Sequence, residues 1–219
     1  MDRILEPEVM DTHEEVENYV LMNNQIPNEA FIQRLCELGA FGKMLDIGCG
    51  SGEICLMAAE EFPDSEFIGI DLAEKMLTLA NENLSKGKKR YCCSFEIADA
   101  KDLGFPPLSF DTVFSNTILH HIPEPALLLT EAWRVLKPGG LLLIRDLIRP
   151  SQLEGVQTLV EKHASGENTY SKNLFHASLC ASLNVAELKE IAGIISPSLE
   201  VVVDSDRHMS LQGRKPEVL

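Results

Sequence analysis

The sequence predicts an α/β fold in which a mostly parallel β-sheet carries helices on both faces. From about residue 28 onward, short apolar runs alternate with segments whose apolar residues recur every three or four positions, which is typical of this arrangement. A second observation is the stretch "DIGCGSG" at 46–52, where an apolar run leads into closely spaced glycines and then a helix. With 45% hydrophobic residues among 219, the chain can bury a full core, and residues 1–219 are predicted to form a single domain with an insertion.

Five strands are predicted in the first two thirds of the chain, each a short apolar run bounded by turn residues. The strands cover residues 43–48, 66–71, 94–99, 110–116 and 141–147. Four helices precede or separate them, and each ends at glycine, proline or a turn such as "KPGG". The helices cover residues 28–38, 53–62, 73–84 and 124–136.

After the fifth strand the alternation stops, because residues 148–183 contain two polar-mixed helical segments with no strand between them. This segment is predicted to be a helical lid insertion, and residues 1–27 a second cover. The order resumes with a helix at 184–195, whose Asn184 and Glu187 have the spacing of a capping box. The two β-like runs that follow, at 198–206 and 207–214, are predicted to pair as a hairpin at the sheet edge.

The charge balance disfavours two classes of partner. Nineteen basic against 34 acidic residues give a formal net charge of -15, which repels phosphate backbones and anionic membrane surfaces. No leader-like segment opens the chain, and no apolar run reaches the roughly 18 residues of a membrane span. We therefore expect a cytoplasmic protein with no nucleic-acid or membrane partner, and a homodimer is compatible with this composition.

The six cysteines indicate reduced thiols rather than a metal centre. They lie on separate predicted elements, without a CxxC pair or the spacing of a zinc site, so no metal is predicted. Cys92 and Cys93 are adjacent at the start of a strand, where neighbouring side chains point to opposite faces. Burial of free cysteine is the ordinary interpretation of such a pair.

The glycines indicate that a ligand lies close to the main chain. Gly48, Gly50 and Gly52 carry no side chain that would block it, and Asp46 offers a carboxylate, so the ligand should carry a positive group. Dinucleotide sites use GxGxxG to hold an anionic pyrophosphate, whereas here the third glycine comes one position earlier. Asp71, nineteen residues after Gly52, ends the second strand, where a carboxylate can accept from both ribose hydroxyls.

The sequence as a whole resembles a known family. "LDIGCGSGE", "GIDLAEKML", "IADAKDL", "FDTVFSNTILHHIPEP" and "LKPGGLLLIRD" occur in the order and spacing of class I S-adenosylmethionine-dependent methyltransferases. The resemblance covers roughly residues 28–147. Within the superfamily, the sequence is most similar to the subgroup of small-molecule enzymes that includes the ubiquinone and menaquinone methyltransferases. It implies a Rossmann-like seven-stranded sheet whose last strand is antiparallel, and S-adenosylmethionine as cofactor with S-adenosylhomocysteine as product.

The resemblance also implies a role for each matching residue. The aminoacid part of the cofactor would lie against Asp46, Gly48, Cys49, Gly50 and Gly52, and Asp71 would bind the ribose. Leu72 and Met76 would cover the adenine faces, Asp99 and Ala100 would meet the adenine edge, and Asn116 would face the methionine moiety.

Methyl transfer from a sulfonium is an in-line displacement, so the protein must align a nucleophile and exclude water. His120 and His121 follow the fourth strand, where either imidazole could take a proton from a hydroxyl or carbon acid. The alternative is that the pair orders the turn that follows. Asn116 is not followed by two prolines, unlike the pattern of enzymes that methylate amino groups of nucleic acids or proteins, so a small-molecule acceptor is predicted.

Acceptor contacts are predicted in the covers and at the end of the fifth strand. The candidates are polar or aromatic side chains at Tyr19, Arg145, Asp146, Arg149, Tyr170, Lys172 and His176.

Three alternatives stay open at this point. A cofactor-binding protein without catalysis would keep the same glycines and acids, and a nucleotide-dependent oxidoreductase would bind NAD at a similar loop. An arsenic or thiol methyltransferase would depend on the cysteines, and on Cys92 and Cys93 first of all.

Overall fold

The computed structural model describes residues 1–7, 11, 25–87 and 91–217, and within them seven strands form one sheet in the order β3-β2-β1-β4-β5-β7-β6. The strands are β1 (Lys43–Ile47), β2 (Glu66–Asp71), β3 (Cys93–Ile97), β4 (Phe110–Asn116), β5 (Leu136–Leu147), β6 (Glu200–Val203) and β7 (His208–Arg214).

Helices connect the strands as the alternating pattern predicts. They are α1 (Gln25–Glu37), α2 (Glu53–Glu61), α3 (Glu74–Lys86), α4 (Pro125–Val135), α5 (Leu153–Ala164), α6 (Thr169–Ala181) and α7 (Val185–Ile195). A short 3₁₀ turn, Leu119–His121, follows β4. None of the described helices is long and apolar enough to cross a membrane.

The strand directions confirm the predicted topology. Strands β1 to β5 pair in parallel, whereas β7 runs antiparallel between β5 and β6. β6 and β7 form the predicted hairpin, with β6 at the sheet edge.

The core has two layers because successive strand residues point to opposite faces. Met44 packs with Phe31 of α1 and Ala58 of α2, whereas the next residue, Leu45, packs with Leu128 of α4 on the other face. Helices therefore cover both faces, as predicted. Leu45 is fully buried, so its truncation to alanine should lower the free energy of unfolding by about 2–5 kcal/mol.

The largest difference from the predicted elements is the start of β5. The sequence predicts a tight turn at 137–140, but the strand begins at Leu136, which pairs with Phe110 before a register shift. The intervening residues keep backbone partners in the C-terminal segment, since Gly139 N–H donates to the Lys215 carbonyl at 2.7 Å. The pairing partner at 215 lies too far along the chain for local sequence to indicate it.

Residues 148–183 contain α5 and α6 and no strand, as predicted. The two helices share a small apolar cluster of Leu147, Val156, Leu179 and Cys180. The capping box of α7 is also confirmed, because Asn184 Oδ1 accepts from Glu187 N–H at 3.0 Å and Glu187 Oε2 accepts from Asn184 N–H at 2.9 Å.

Candidate active site

Two adjacent cavities open where β1, β2, β4 and β5 end. The smaller has a volume of about 110 Å³ and the larger about 650 Å³. Gly48, Asn116, Thr117 and His121 line both cavities. The position is the crevice outside the carboxyl ends of parallel strands, at the point where the chain connections turn in opposite directions from β1.

The glycine loop, residues 48–52, borders both cavities. Gly48 and Gly50 have φ angles of 73° and 50°, which favour glycine. A Cβ at Gly48 would lie 2.3 Å from Ile118 Cδ1, so no larger residue fits there. Cys49 lines the larger cavity and Gly50 the smaller.

Gly52 has a different environment from the other two glycines. It precedes α2 with φ 75°, and a Cβ there would lie 2.6 Å from Phe95 Cζ and 3.0 Å from Ala80 Cβ. Neither cavity lining includes it among the described residues. Its small size therefore serves the packing of α2 against α3 and β3, and a cofactor contact at Gly52 stays a prediction.

Asp46 is the least satisfied polar group at the site. It is buried, it lines the larger cavity, and its Oδ2 is the one buried side-chain oxygen or nitrogen in the described chain without a hydrogen-bond partner. Burial, and then the negative charge of Asp71, raise the pKa of Asp46 well above its ordinary value. Because an unpaired buried carboxyl is costly, this oxygen is suited to a cationic or hydrogen-bond-donating ligand.

Asp71 is held by the backbone on both sides. Its Oδ2 accepts from Gly50 N–H and its Oδ1 from Ala73 N–H, each at 2.9 Å. Burial raises the pKa of Asp71, although these hydrogen bonds act in the opposite direction. Asp71 thus orders the loop and the start of α3, and it lines the smaller cavity with an acceptor lone pair still open on each oxygen.

Apart from Asp71, Asn116, Thr117 and His121, the lining of the smaller cavity is apolar side chains and glycine. Leu72, Met76 and Ala100 line it, as their predicted adenine contacts require. Asp99 does not, because its Oδ1 accepts from the Lys101 backbone N–H at 2.9 Å and lies 2.8 Å from Lys101 Nζ. Burial opposes it, but this contact with Lys101 keeps the pKa of Asp99 below its ordinary value. The adenine-edge contact of Asp99 stays a prediction.

The end of β4 carries backbone strain that the sequence does not signal. Thr117 has φ 65°, a left-handed conformation that a β-branched residue rarely adopts. Its N–H donates to the Arg145 carbonyl at 2.8 Å, and the Arg145 Nε donates to Asn116 Oδ1 at 2.9 Å. These contacts present Asn116 and Thr117 to both cavities.

His120 is buried and fixed by Asp146. Its Nδ1 lies 2.6 Å from Asp146 Oδ1, and its backbone N–H donates to Asp146 Oδ2 at 2.9 Å. Its Nε2 is 3.3 Å from Glu6 Oε1. Burial alone would lower the pKa of His120, but the carboxylates of Asp146 and Glu6 raise it above its ordinary value. His120 and Asp146 therefore form a buried ion pair.

His121 differs from its neighbour in charge and access. It lines both cavities, and its Nδ1 is 3.2 Å from the Pro7 carbonyl oxygen. Burial, and then the charge of His120, lower the pKa of His121 to about 4, so its imidazole is neutral at pH 7. The sequence predicts both histidines as a candidate pair, and the structure separates them into a charged and a neutral member.

Glu6 is a site residue that the sequence did not indicate. Its Oε1 accepts from Ser178 Oγ at 3.2 Å and faces both histidines, and burial raises the pKa of its carboxyl. Glu6, His120 and His121 place ligand atoms within 4.8 Å of one another, close enough to hold a metal ion, although the sequence predicts no metal. A glutamate in a short N-terminal segment carries no spacing signal that links it to histidines more than a hundred residues away.

Three of the acceptor candidates in the covers, Tyr170, Lys172 and His176, lie on α6 but not on the face that lines a cavity. Arg149, Tyr170, Lys172 and His176 are absent from both cavity linings in the described chain, and Tyr19 lies outside the described residues. Arg149 instead donates to the Ser182 carbonyl at 2.7 Å and pairs with Glu187. From α6 the larger cavity receives the face that the helical repeat places together, Ser171, Leu174, Phe175 and Ser178.

The cysteines contribute little to the site. Cys92 is exposed, whereas Cys93 packs with the buried Cys55 at 3.4 Å between sulfurs. Of the described cysteines, Cys49 alone lines a cavity, and burial raises the pKa of its thiol. This arrangement gives no support to thiol chemistry at Cys92 and Cys93.

Comparison with known proteins decides the family. Residues 40–200 match a family model described as a methyltransferase domain. The chain belongs to this methyltransferase family. The resemblance to class I S-adenosylmethionine-dependent methyltransferases is thereby confirmed, and it favours methyl transfer over the oxidoreductase alternative.

Two methyltransferase relatives are similar over part of their length. The 27-O-demethylrifamycin SV methyltransferase of Amycolatopsis mediterranei (strain S699) is 36% identical over 125 residues, 57% of this chain and 46% of that protein. The demethylmenaquinone methyltransferase of Symbiobacterium thermophilum is 32% identical over 108 residues, 49% of this chain and 43% of that protein. The chain thus spans less than half the length of either relative.

The methyltransferase fold itself extends over nearly the whole chain. The plantazolicin methyltransferase BpumL, solved with a monoazolic desmethylPZN analog and SAH, superimposes with a TM-score of 0.72 at 16% identity. The superposition covers 93% of this chain and 91% of that one. The predicted Rossmann-like α/β class is therefore confirmed.

Proposed function

We propose that this chain binds S-adenosylmethionine and transfers its methyl group to a small-molecule acceptor by in-line displacement. The observation that carries the proposal is the unpartnered Asp46 carboxyl oxygen beside a glycine loop that borders two adjacent cavities. The cofactor's ammonium group would supply the missing partner. The methyltransferase relatives, one of which acts on demethylmenaquinone and another on a demethylrifamycin by name, support a small acceptor.

The residues present fit this cofactor. Asp46 would hold the ammonium group, and Gly48 would let the chain lie against the backbone. Asp71 would accept from the ribose hydroxyls, while Leu72 and Met76 would pack on the adenine in the smaller cavity. When bound, the sulfonium supplies the activated methyl group.

The larger cavity would hold the acceptor. His121 lies at the boundary of the two cavities, and with its pKa near 4 it can accept a hydrogen bond from a nucleophile without first losing a proton. His120 is locked between Asp146 and Glu6, so its role in this proposal is to position His121, whose ring centroid lies 4.3 Å away. In this proposal His121 takes the role of base that the sequence suggested for either histidine, and His120 supports it.

Residues 148–183 and the N-terminal segment would act as the covers of a single domain. The Ile4 N–H donates to the Cys180 carbonyl at 3.0 Å, and Arg3 Nε donates to the Ala181 carbonyl, so residues 1–7 are tied to the end of α6. Closure of α6 over the larger cavity would exclude water from the sulfonium.

The cellular setting is also part of the proposal. Six cysteines without a disulfide among the described residues fit a reducing compartment such as the cytoplasm.

Light scattering tests whether the chain forms the homodimer that its composition allows.

The proposed function is tested by calorimetric titration with S-adenosylmethionine, S-adenosylhomocysteine and NAD side by side. We expect micromolar binding of the first two and no binding of NAD. Release of S-adenosylhomocysteine in the presence of small hydroxyl, amine and carbon-acid acceptors then distinguishes an enzyme from a binding protein without catalysis. Binding of NAD alone would contradict the proposal.

A further inference from the structure

The larger cavity contains a buried guanidinium that has no carboxylate at ion-pair distance among the described residues. Arg145, near the end of β5, is only 5% exposed and lines this cavity. Its Nε donates to Asn116 Oδ1 and its Nη2 to the Pro27 carbonyl, at 2.9 and 2.6 Å, and neither acceptor is charged. Its guanidinium also lies 5.0 Å from the Phe31 ring centroid.

A second arginine converges on the same cavity. Arg207, just before β7, lines it with its guanidinium 5.4 Å from the ring centroid of Phe175 on α6. Within the described chain, neither Arg145 nor Arg207 has a carboxylate oxygen within 4.0 Å, and the Arg207 guanidinium donates no hydrogen bond. Arg145, Arg207 and the buried His208 all line this cavity. The positive charge of Arg207 acts on Arg145, and both act on His208.

Of the acids that line this cavity, Asp206, Asp204 and Glu53 contact other groups, whereas Asp46 has an unpartnered oxygen and a raised pKa. Asp206 pairs with Lys162 at 2.6 Å and with His163 at 3.0 Å, and Asp204 accepts from the Ser210 hydroxyl. Glu53 accepts from Asn28 Nδ2 at 2.9 Å, and Glu167 is half-buried.

Among the described residues, Asp204 attracts Arg145 and Asp206 attracts Arg207, but neither acid forms an ion pair with its arginine. Two such guanidiniums in one cavity are unexpected in a chain of formal charge -15. Removing a guanidinium from water is unfavourable unless a paired anion compensates, and the planar fork of arginine matches carboxylate and phosphate oxygens. The Arg145 pKa of about 10 leaves its side chain charged at neutral pH. The cavity volume of about 650 Å³ is ample for a small ligand.

We infer that Arg145 and Arg207 form an anion receptor, and that the methyl acceptor carries a carboxylate or a phosphate monoester that binds between them. This inference rests on the proposed function, since it assigns the substrate class of the same site. The anionic group would anchor one end of the acceptor and leave the nucleophilic end toward His121.

The first experiment compares anionic with neutral probes of one size. Benzoate, phenyl phosphate and methyl benzoate are titrated calorimetrically into the protein with and without S-adenosylhomocysteine. We expect benzoate or phenyl phosphate to bind at least tenfold more tightly than methyl benzoate. Whichever of these two anions binds more tightly shows whether the receptor prefers a carboxylate or a phosphate. Equal affinity for all three probes would overturn the inference.

Variants assign the effect to the arginines. Arg207→Gln should lower the affinity for the anion at least tenfold. Lys189→Gln, which removes one positive charge from the exposed surface of α7, should change that affinity less than twofold. Arg145→Lys keeps the charge but loses the fork, so a weaker loss is expected. Unchanged anion affinity in Arg207→Gln would contradict the receptor, and this partly exposed position keeps the test independent of the buried Arg145.

A third titration excludes the cofactor as the anion. If Arg145 bound the cofactor's own carboxylate, the preference for S-adenosylmethionine over its decarboxylated form would disappear in Arg145→Gln, which removes the charge, and the inference would fail. We expect the preference to persist. Failure of S-adenosylhomocysteine to bind would reject the proposed function alone, because the anion titrations without it still measure the receptor.

Discussion

The two cavities are built in different ways. The smaller cavity and the glycine loop are formed by β1, β2, β4 and the residues just after them, and they use backbone conformation and strand ends. The larger cavity shares the glycine loop and adds Asp46 and side chains from α1, α2, α5, α6, the ends of β4 and β5, and the turn between β6 and β7. A site built from backbone tolerates little change in sequence, whereas a site built from side chains of distant elements can change its ligand without changing its fold.

The largest expected effect comes from the backbone-built half. Gly48→Val should abolish binding of S-adenosylmethionine, because the side chain would meet Ile118 and the positive φ disfavours valine. Calorimetry measures the loss. Gly166→Ala is the control near the larger cavity, where an added Cβ meets nothing within 4 Å. Retained binding in Gly48→Val would show that the loop is not a cofactor cradle.

The next effect concerns the buried ion pair beside the larger cavity. Asp146→Asn should lower the free energy of unfolding by about 3–5 kcal/mol, because it leaves the His120 charge buried with one acid fewer. It should also lower the pKa of His120, which NMR titration of the ring measures. Denaturant unfolding gives the stability, with His163→Gln at an exposed pair as the control. Equal losses of unfolding free energy in the two variants would mean that the buried pair stabilises the fold no more than the exposed pair does.

The pH dependence of stability should have opposite signs at two buried groups of the larger cavity, His208 and Asp46. Burial, and then Arg145 and Arg207, lower the pKa of His208 to about 3, so the fold excludes a proton that the unfolded chain takes up below about pH 6.5. Wild type should therefore lose stability relative to His208→Gln as the pH falls from 6.5 toward 3, by up to about 1.4 kcal/mol per pH unit.

Asp46 should behave in the opposite way, because its pKa is raised in the fold. Asp46→Asn should be more stable than wild type at pH 7. The difference should shrink as the pH falls, because the folded protein holds a proton that the unfolded chain takes up only near the ordinary aspartate pKa of 3.8. Urea titrations between pH 4 and 7 measure both differences. Slopes of the same sign in both variants would contradict the opposite pKa shifts of His208 and Asp46.

The smallest expected effect is that of a chelator. Glu6, His120 and His121 form a group that could hold an ion, but the hydrogen bonds of the two imidazoles to Asp146 and to the Pro7 carbonyl already order them. Prolonged treatment with a chelator should leave methyl transfer within twofold of the untreated protein. Loss of activity that one divalent metal restores would show instead that this cluster is a metal site.

The sequence predicts those parts of the fold and the site that depend on local spacing, and it does not predict those that depend on contacts between distant elements. Strand β1, the glycine loop and Asp71 could be predicted because their spacing is local and the backbone needs those residue types. The start of β5 could not, since its partner lies at Lys215.

The acceptor side shows the limit most clearly. Sequence could place a helix at 171–183, but it could not tell which face would meet the cavity, and the side chains at Phe175 and Ser178 proved to do so instead of His176. Glu6, Thr117 and Arg207 carry no local signal, because tertiary contacts alone bring them to the site.

The most direct measurement is the affinity of Asp46→Asn for S-adenosylhomocysteine and for methylthioadenosine, which lacks the amino-acid moiety. If Asp46 holds the ammonium group, the variant should bind S-adenosylhomocysteine at least tenfold more weakly than wild type does, while its affinity for methylthioadenosine stays unchanged. A charge-assisted hydrogen bond of about 1.5–3 kcal/mol gives a loss of that size. Equal affinities of variant and wild type for both ligands would contradict the assignment of this carboxyl to the cofactor.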